Sequence, residues 1–476
     1  MNQMRFLLPN GAKLLPLLIS ITIGTSIWFS PHPEELSDQT WHLFAIFVST
    51  ISAIITRPLP VAPVVLMGMV TSLCTGTLSP EEVYSAYSKN SIWLIVCSFF
   101  LAQGLVKTGL AHRAAYIFVR LLGKSTLGLA YGLSLSELCL AAVIPSLTAR
   151  SGGVVYPVIT ALTEDFQEKY SAENVKRTCG FLCICAFQVA VICSGLFLTA
   201  MAANPLIVEA AAGHNITVSW ALWAVAGSIP GLCSLLIIPY FLYRWMKPEV
   251  TSSPEAPKLA AKKLHEMGPL SLPEILTLAT LGIVLTLWVF GKQAGVDSTT
   301  AAITGLCLLL LCGVLTWDDC LAASTAWTTL IWLGGLVSLG TSLKTLGFFS
   351  WFSQEIVGLT GNLDWPVALG LVSLAYFYSH YFFASNTPHV SSMYAAFLAA
   401  TLTLGAPPLL ATLLLAYLSN LFGGLTHYSC GPAPIFYGCR LVPLRSWWAM
   451  GFGCSVINLL IWGTIGPLWW KFLGLW

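Results

Sequence analysis

Two short polar clusters interrupt otherwise apolar stretches of this chain. They are Ser146-Leu147-Thr148 within "PSLTARSGGVVYPVI" and Ser385-Asn386-Thr387 within "HYFFASNTPHVSSMYAAFLA". Hydroxyl and amide groups in an apolar interior are costly unless each finds a partner. A helix that resumes just after such a cluster aims free N–H groups and its positive dipole end at the same place. Donors of this kind suit a small carboxylate, and Ala149, Gly152, Gly153 and Ala384 let backbone approach it closely. A lone serine or threonine in a membrane helix commonly bonds only to a nearby carbonyl. Two clusters at duplicated positions favour binding instead.

Arg150 and His389 each lie two residues beyond the threonine of their cluster. An arginine at membrane depth is expensive and by default functional. The pair is therefore expected to supply positive charge beside a bound dianion. His380 and His427 carry weaker arguments. Glu137 has two open readings, partner of a cation or carrier of a proton. Pro205, in "AANPLI", and Pro432, in "SCGPAPI", mark breaks in two further apolar segments and complete the candidate binding set.

These residues need elements to hold them, and composition says which kind. Of 476 residues, 56% are hydrophobic and 9% charged. A soluble domain carries about 25% charged residues, so this chain is expected to be an all-α integral membrane protein. Apolar runs long enough for helices exclude a β-barrel, whose strands alternate over about ten residues. A net charge of +2 argues against nucleic acid as a partner. The 14 cysteines are scattered through apolar runs without a C-x-x-C pair, as packing residues rather than metal ligands.

Candidate spans lie near 14–30, 41–56, 60–78, 90–107, 179–203, 219–242, 272–290, 296–315, 324–346, 408–434 and 447–472. The regions 126–162 and 365–402 are too long for one helix and carry the polar clusters at their middles. They are expected to be re-entrant hairpins, whose non-helical tips are tolerated only inside protein or beside a water-filled cavity. Eleven crossings with a cytoplasmic N-terminus put all but five of the 22 lysines and arginines inside. The exceptions are Lys89, Lys292, Lys344 and Lys471 outside and Arg150 at a tip, as the positive-inside rule requires. The N-terminal segment lacks an A-x-A cleavage site and reads as a retained first helix. Without a transit-peptide composition, it points to a bacterial inner membrane.

The expected organisation is an N-terminal helix in 1–40, a first repeat in 41–243, a cytoplasmic linker in 244–271 and a second repeat in 272–476. "LVKTGLAHRAAYIFVRLLG" is echoed by "LKTLGFFSWFSQEIVGLTG", with Gly109 and Gly123 spaced like Gly347 and Gly361. Five crossings and one hairpin per half make the second copy inverted, the transporter plan in which paired broken helices meet at the midplane.

With the clusters, the repeats and the span count in place, the chain resembles the divalent anion:sodium symporter (DASS) family over essentially its whole length. "PSLTARSGGVVYPVI" and "HYFFASNTPHVSSMYAAFLA" look most like its dicarboxylate-exchanger branch. That branch holds the bacterial citrate/succinate and tartrate/succinate antiporters and the chloroplast 2-oxoglutarate/malate translocator. The resemblance implies an elevator mechanism, a homodimer, dicarboxylate substrates and Ser146, Thr148, Ser385, Asn386 and Thr387 as substrate ligands. Sodium-coupled members read Ser-Asn-Thr at both tips. Here Leu147 replaces the asparagine, which removes an amide oxygen from the first sodium site and leaves one residual site near Ser385 and Asn386. Antiport without a cofactor is the resulting expectation, with a sodium-coupled symporter as the alternative. A hydrolase using Ser385 and His389 is disfavoured, because no nucleophile elbow surrounds them. A channel is disfavoured by two re-entrant tips.

Overall fold

The computed structural model describes residues 11–360 and 363–476. Its described elements are helices of α, 3-10 and π type, with one isolated β-bridge between Ser125 and Ser252. Among the described residues, seven helices are long and apolar enough to cross a membrane. The shorter apolar helices Leu14–Trp28, Val61–Cys74, Ser298–Leu311 and Pro408–Gly424 fall on the remaining expected spans. A helix needs about 20 apolar residues to cross the hydrocarbon at 1.5 Å per residue. The protein is thus a multi-pass helical membrane protein.

Both long regions fold as hairpins. The first descends through Thr126–Ala141, turns at 142–147, and returns through a π-helical stretch, Thr148–Val155, into Tyr156–Gln167. The second runs through Trp365–Tyr378, a 3-10 turn at Ser379–Phe382 and the short helix Asn386–His389. It too returns through a π-helical stretch, Val390–Tyr394, into Ala395–Thr403. The two π-stretches end at repeat-equivalent positions, Val155 and Tyr394. π-bulges of this kind are rare and concentrate at functional sites.

The echo before each hairpin is also structural. Gly109 (φ +78°) precedes the 13-residue helix Leu110–Leu122, and Gly347 (φ +85°) precedes the 13-residue helix Phe348–Thr360. Left-handed backbone at those corners favours glycine. Gly361 lies outside the described residues.

The expected linker 244–271 is more ordered than a linker. It contains the helix Glu255–Met267, and Ser253 donates to the Gly123 carbonyl at 2.7 Å. Arg113 donates at 2.5 Å to Glu274 and at 2.9 Å to the Gly268 carbonyl, so the segment is fastened at its far end as well. The polar composition of 244–271 reflects a water-facing helix surface, which hydropathy alone does not separate from a flexible connector.

The chain packs as two compact units. One comprises the chain up to Val96, with Pro205–Thr217 and Ser324–Leu415; the other comprises Cys97–Asn204, Val218–Ala323 and Ala416–Trp476. Each draws on both halves of the sequence, so the sequence repeats and the packing units are different divisions.

In the first unit, helix Asp38–Thr56 begins at Ser37, whose hydroxyl accepts from Thr40 N–H at 3.2 Å. Helix Leu14–Trp28 lies close against it, with Ser49 Oγ donating to the Ser20 carbonyl at 2.9 Å. The helix ends at Arg57, held in a left-handed conformation (φ +56°) with its N–H on the Ala53 carbonyl at 2.9 Å. Pro58 and Pro60 follow, a common continuation after a left-handed C-cap. In the second unit, helix Ala172–Leu196 is buried without interruption from Thr178 to Leu196. Around it the tryptophans at 223, 447, 462 and 470 are almost wholly enclosed.

Candidate functional site

The first hairpin tip, in the second unit, is built around Arg150. Its side chain is 0% exposed and Glu137 is 1% exposed. Arg150 Nε donates to Glu137 Oε1 at 2.8 Å, while Nη1 donates to the carbonyls of Ile144 at 2.5 Å and Ala200 at 2.7 Å. One guanidinium thereby ties the descending arm, the turn before the tip and the break in the neighbouring helix. Three oxygens converge on it, one carboxylate and two carbonyls. Of the two readings of Glu137, the geometry contains the first, partner of a cation.

The sequence expectation placed Arg150 beside a bound dianion, and the structure shows the partners it has within the protein. Its charge faces Glu137 and buried carbonyls, not an open cavity, and the formal charges of the pair cancel. The other tip residues are placed differently. Thr148 is exposed, and a Cβ on Gly431 would collide with its hydroxyl, so Gly431 has no room for a side chain there. Ser146 is half-buried, and its hydroxyl accepts from Ala149 N–H at 3.1 Å. Leu147 is buried.

Both apolar segments marked by prolines are broken in this structure. The first runs as helix to Leu196, is extended at Phe197 and Met201, and resumes at Asn204. The second runs from Pro408 to Leu421, passes through a 3-10 turn to Gly424 and resumes at Ala433. A reciprocal pair of bonds stitches the breaks together within the second unit. Gln188 Nε2 donates to the Gly424 carbonyl at 2.8 Å, and Asn420 Nδ2 donates to Asn204 Oδ1 at 2.9 Å. Asn204 Nδ2 in turn donates to the Ser194 and Phe197 carbonyls at 3.1 and 3.2 Å. Non-helical backbone at this depth needs such satisfaction. Asn204 adjoins the Pro205 that the sequence marks as a break, whereas Gln188 and Asn420 carry no mark there beyond being isolated amides within long apolar runs. Pro205 and Pro432 are both buried at the points where helix resumes.

The second tip lies in the first unit. Asn386 is 4% exposed, while Ser385 and Thr387 are half-buried and line a cavity of 190 Å³. His389 does not line it. Its Nε2 pairs with Ser379 Oγ at 3.0 Å, and its Nδ1 pairs with His380 Nδ1 at 2.9 Å. The ring stacks on Phe383 with centroids 4.5 Å apart and lies 4.8 Å from the Tyr376 ring. An Nδ1–Nδ1 contact requires one of the two nitrogens to accept, so the two rings cannot both donate there. His389, expected to supply positive charge beside a ligand, has its two ring nitrogens on Ser379 and His380 in this structure. Its hydroxyl partner is Ser379, not the Ser385 that a hydrolase reading requires. His427 is remote in role as well, accepting from Trp448 Nε1 at 3.1 Å.

Each tip, within its own unit, carries small hydroxyl side chains beside a basic group that is already hydrogen-bonded.

Comparison with known proteins agrees. The family described as "Sodium:sulfate symporter transmembrane region" matches residues 11–476. The chain is 48% identical over 469 residues to chloroplastic dicarboxylate transporter 1 of Arabidopsis thaliana, covering 98% of this chain and 84% of that protein. It is 46% identical to the putative malate transporter YflS of Bacillus subtilis, covering 98% of each. It is 32% identical to the inner membrane protein YbhI of Escherichia coli, again covering 98% of each. Among solved structures, the YdaH transporter of Alcanivorax borkumensis matches with a TM-score of 0.57 at 14% identity, covering 96% of each chain, a likeness of fold. The protein thus belongs to the sodium:sulfate symporter family of membrane transporters, the DASS family that its sequence resembles.

Proposed function

We propose that this protein is a dicarboxylate antiporter, exchanging substrates of the 2-oxoglutarate, malate and succinate type by an elevator mechanism. Ser146 and Thr148 at one tip and Ser385, Asn386 and Thr387 at the other donate to carboxylate oxygens, with Pro205 and Pro432 shaping the breaks beside them. The relatives named as dicarboxylate and malate transporters support the substrate class. The bacterial cytoplasmic membrane, an N-terminus in the cytoplasm and a homodimer complete the proposal; lysine and arginine placement supports the orientation.

The observation that carries exchange over symport is the Arg150 guanidinium held at 2.5 to 2.8 Å by Ile144, Ala200 and Glu137 oxygens. Carbonyl and carboxylate oxygens of this kind are what a hard cation uses as ligands. Here a protein cation fills that role permanently. The substrate gradients then drive transport, and no sodium is required at the first tip.

Proteoliposomes test this directly. Vesicles preloaded with malate should take up labelled succinate at the same rate with and without sodium, and empty vesicles should take up little. Sodium-dependent uptake into empty vesicles would establish the symport alternative, for which the retained Ser385-Asn386-Thr387 tip is the remaining site.

A further inference from the structure

With Arg150 and His389 both engaged inside their own hairpins, the question is which cation meets a carboxylate at the second tip. The cavity beside that tip answers it. Its 190 Å³ is bounded by Ser385 and Thr387 on one side and by Arg57, Val61, Ile54 and Trp332 on others. Arg57 is its one cation, and no acidic side chain lines it. Among the described residues, no carboxylate forms an ion pair with Arg57. An arginine that shares the lining of a largely apolar cavity with two hydroxyl side chains favours a carboxylate. The guanidinium supplies paired N–H donors matched to carboxylate geometry, and the hydroxyls supply two more.

Arg57 is an exposed residue at a helix end, and its backbone position is set by the cap. Arg57 caps helix Asp38–Thr56 in a left-handed conformation, its N–H bonded to Ala53 O at 2.9 Å. Pro58 follows immediately and restricts the backbone beyond it. The cap therefore roots the side chain at a stiff backbone corner, so binding has only the side chain left to order. Trp332 is 7% exposed, so the apolar wall next to the guanidinium is itself packed.

We infer that Arg57 is a substrate-recognition residue, taking one carboxylate of a dicarboxylate together with Ser385 and Thr387 in the conformation seen here. The inference rests on the proposed dicarboxylate function and adds to it the cation that the two hairpins do not supply. It also predicts selectivity. A ligand with two carboxylates gains from Arg57 while keeping other contacts, whereas a monocarboxylate of equal length has one group for all of them.

The test uses the purified full-length protein, reconstituted for counterflow and, in detergent, heated with and without ligand. Arg57→Asn removes the charge while keeping a residue that tolerates left-handed backbone; Arg57→Lys keeps the charge and loses the planar fork. Succinate is the probe and butyrate its one-carboxylate counterpart. A charge-assisted hydrogen bond is worth about 1.5–3 kcal/mol, so Arg57→Asn should raise the half-saturating succinate concentration about 10- to 100-fold. Arg57→Lys should fall between it and the wild type, and succinate should no longer raise the melting temperature of Arg57→Asn. Butyrate should compete against wild-type exchange far more weakly than succinate. Unchanged half-saturation in both variants, with wild-type exchange intact, overturns the assignment of Arg57 alone. Failure of the wild type to exchange any dicarboxylate overturns the transport reading itself.

Discussion

Glu137 accepts a 2.8 Å hydrogen bond from Arg150, thirteen residues further along the same hairpin, with both side chains enclosed. In the second hairpin the same separation joins Tyr376 to His389, ring against ring at 4.8 Å. The two hairpins thus keep one internal contact and fill it with different chemistry, an ion pair in one and aromatic packing in the other.

The ion pair sets a stability prediction. Removing one member of a buried pair leaves the other charge uncompensated, at a cost of about 3–5 kcal/mol. Glu137→Gln should therefore lower the unfolding temperature strongly. Glu137→Leu combined with Arg150→Met should cost less than the two single losses added. Additive losses in thermal unfolding would show that the two side chains do not depend on each other.

The tip hydroxyls set a binding prediction. Ser385→Ala and Thr387→Ala each remove one donor to a charged group, worth about 1.5–3 kcal/mol. Half-saturation for succinate in counterflow should rise about 10-fold or more in each. Ser373→Ala, a buried residue within the same arm, should leave it unchanged. Equal effects at all three positions would assign the loss to folding instead of binding.

The stitched breaks set a prediction about coupling. Asn420→Ala strips the amide that reaches Asn204 Oδ1, and Gln188→Ala strips the one that reaches Gly424 O. Each leaves a buried acceptor unsatisfied, at about 1–3 kcal/mol. Because both bonds brace adjoining breaks, the double variant should depart from additivity by about 0.5 kcal/mol or more. Denaturation followed by tryptophan fluorescence measures all three.

Outside the spanning segments, Asp319 sets a pH prediction. Lys107, which donates to it at 2.6 Å, and Thr316, whose N–H donates at 2.7 Å, hold its carboxyl at about 2, below the ordinary range. A group depressed on folding stabilises above its unfolded value of about 3.9 and loses that contribution as pH falls through the folded one. The difference in unfolding temperature between wild type and Asp319→Asn should therefore be constant above about pH 5 and shrink toward pH 2. A difference that does not vary with pH in that window would refute the assignment.

Much of this architecture was legible in the sequence because hydrophobic length and proline or glycine interruptions act locally. The hairpins at 126–162 and 365–402, the spans and the two breaks all follow from apolar runs whose periodicity and punctuation need no knowledge of neighbours. Duplicated tips also mark Ser146, Thr148, Ser385, Asn386 and Thr387 as the candidate set carried into the proposal. What the sequence could not determine was where Arg150 and His389 point. Both are basic and lie at matching places, yet their direction depends on Glu137 and Ala200 in one case and on Ser379, His380 and Phe383 in the other. Arg57 escaped notice for the converse reason, since a residue at the end of a span reads as an ordinary headgroup anchor. Tertiary structure alone brings it to the second tip, because a cavity is made by elements far apart in the chain.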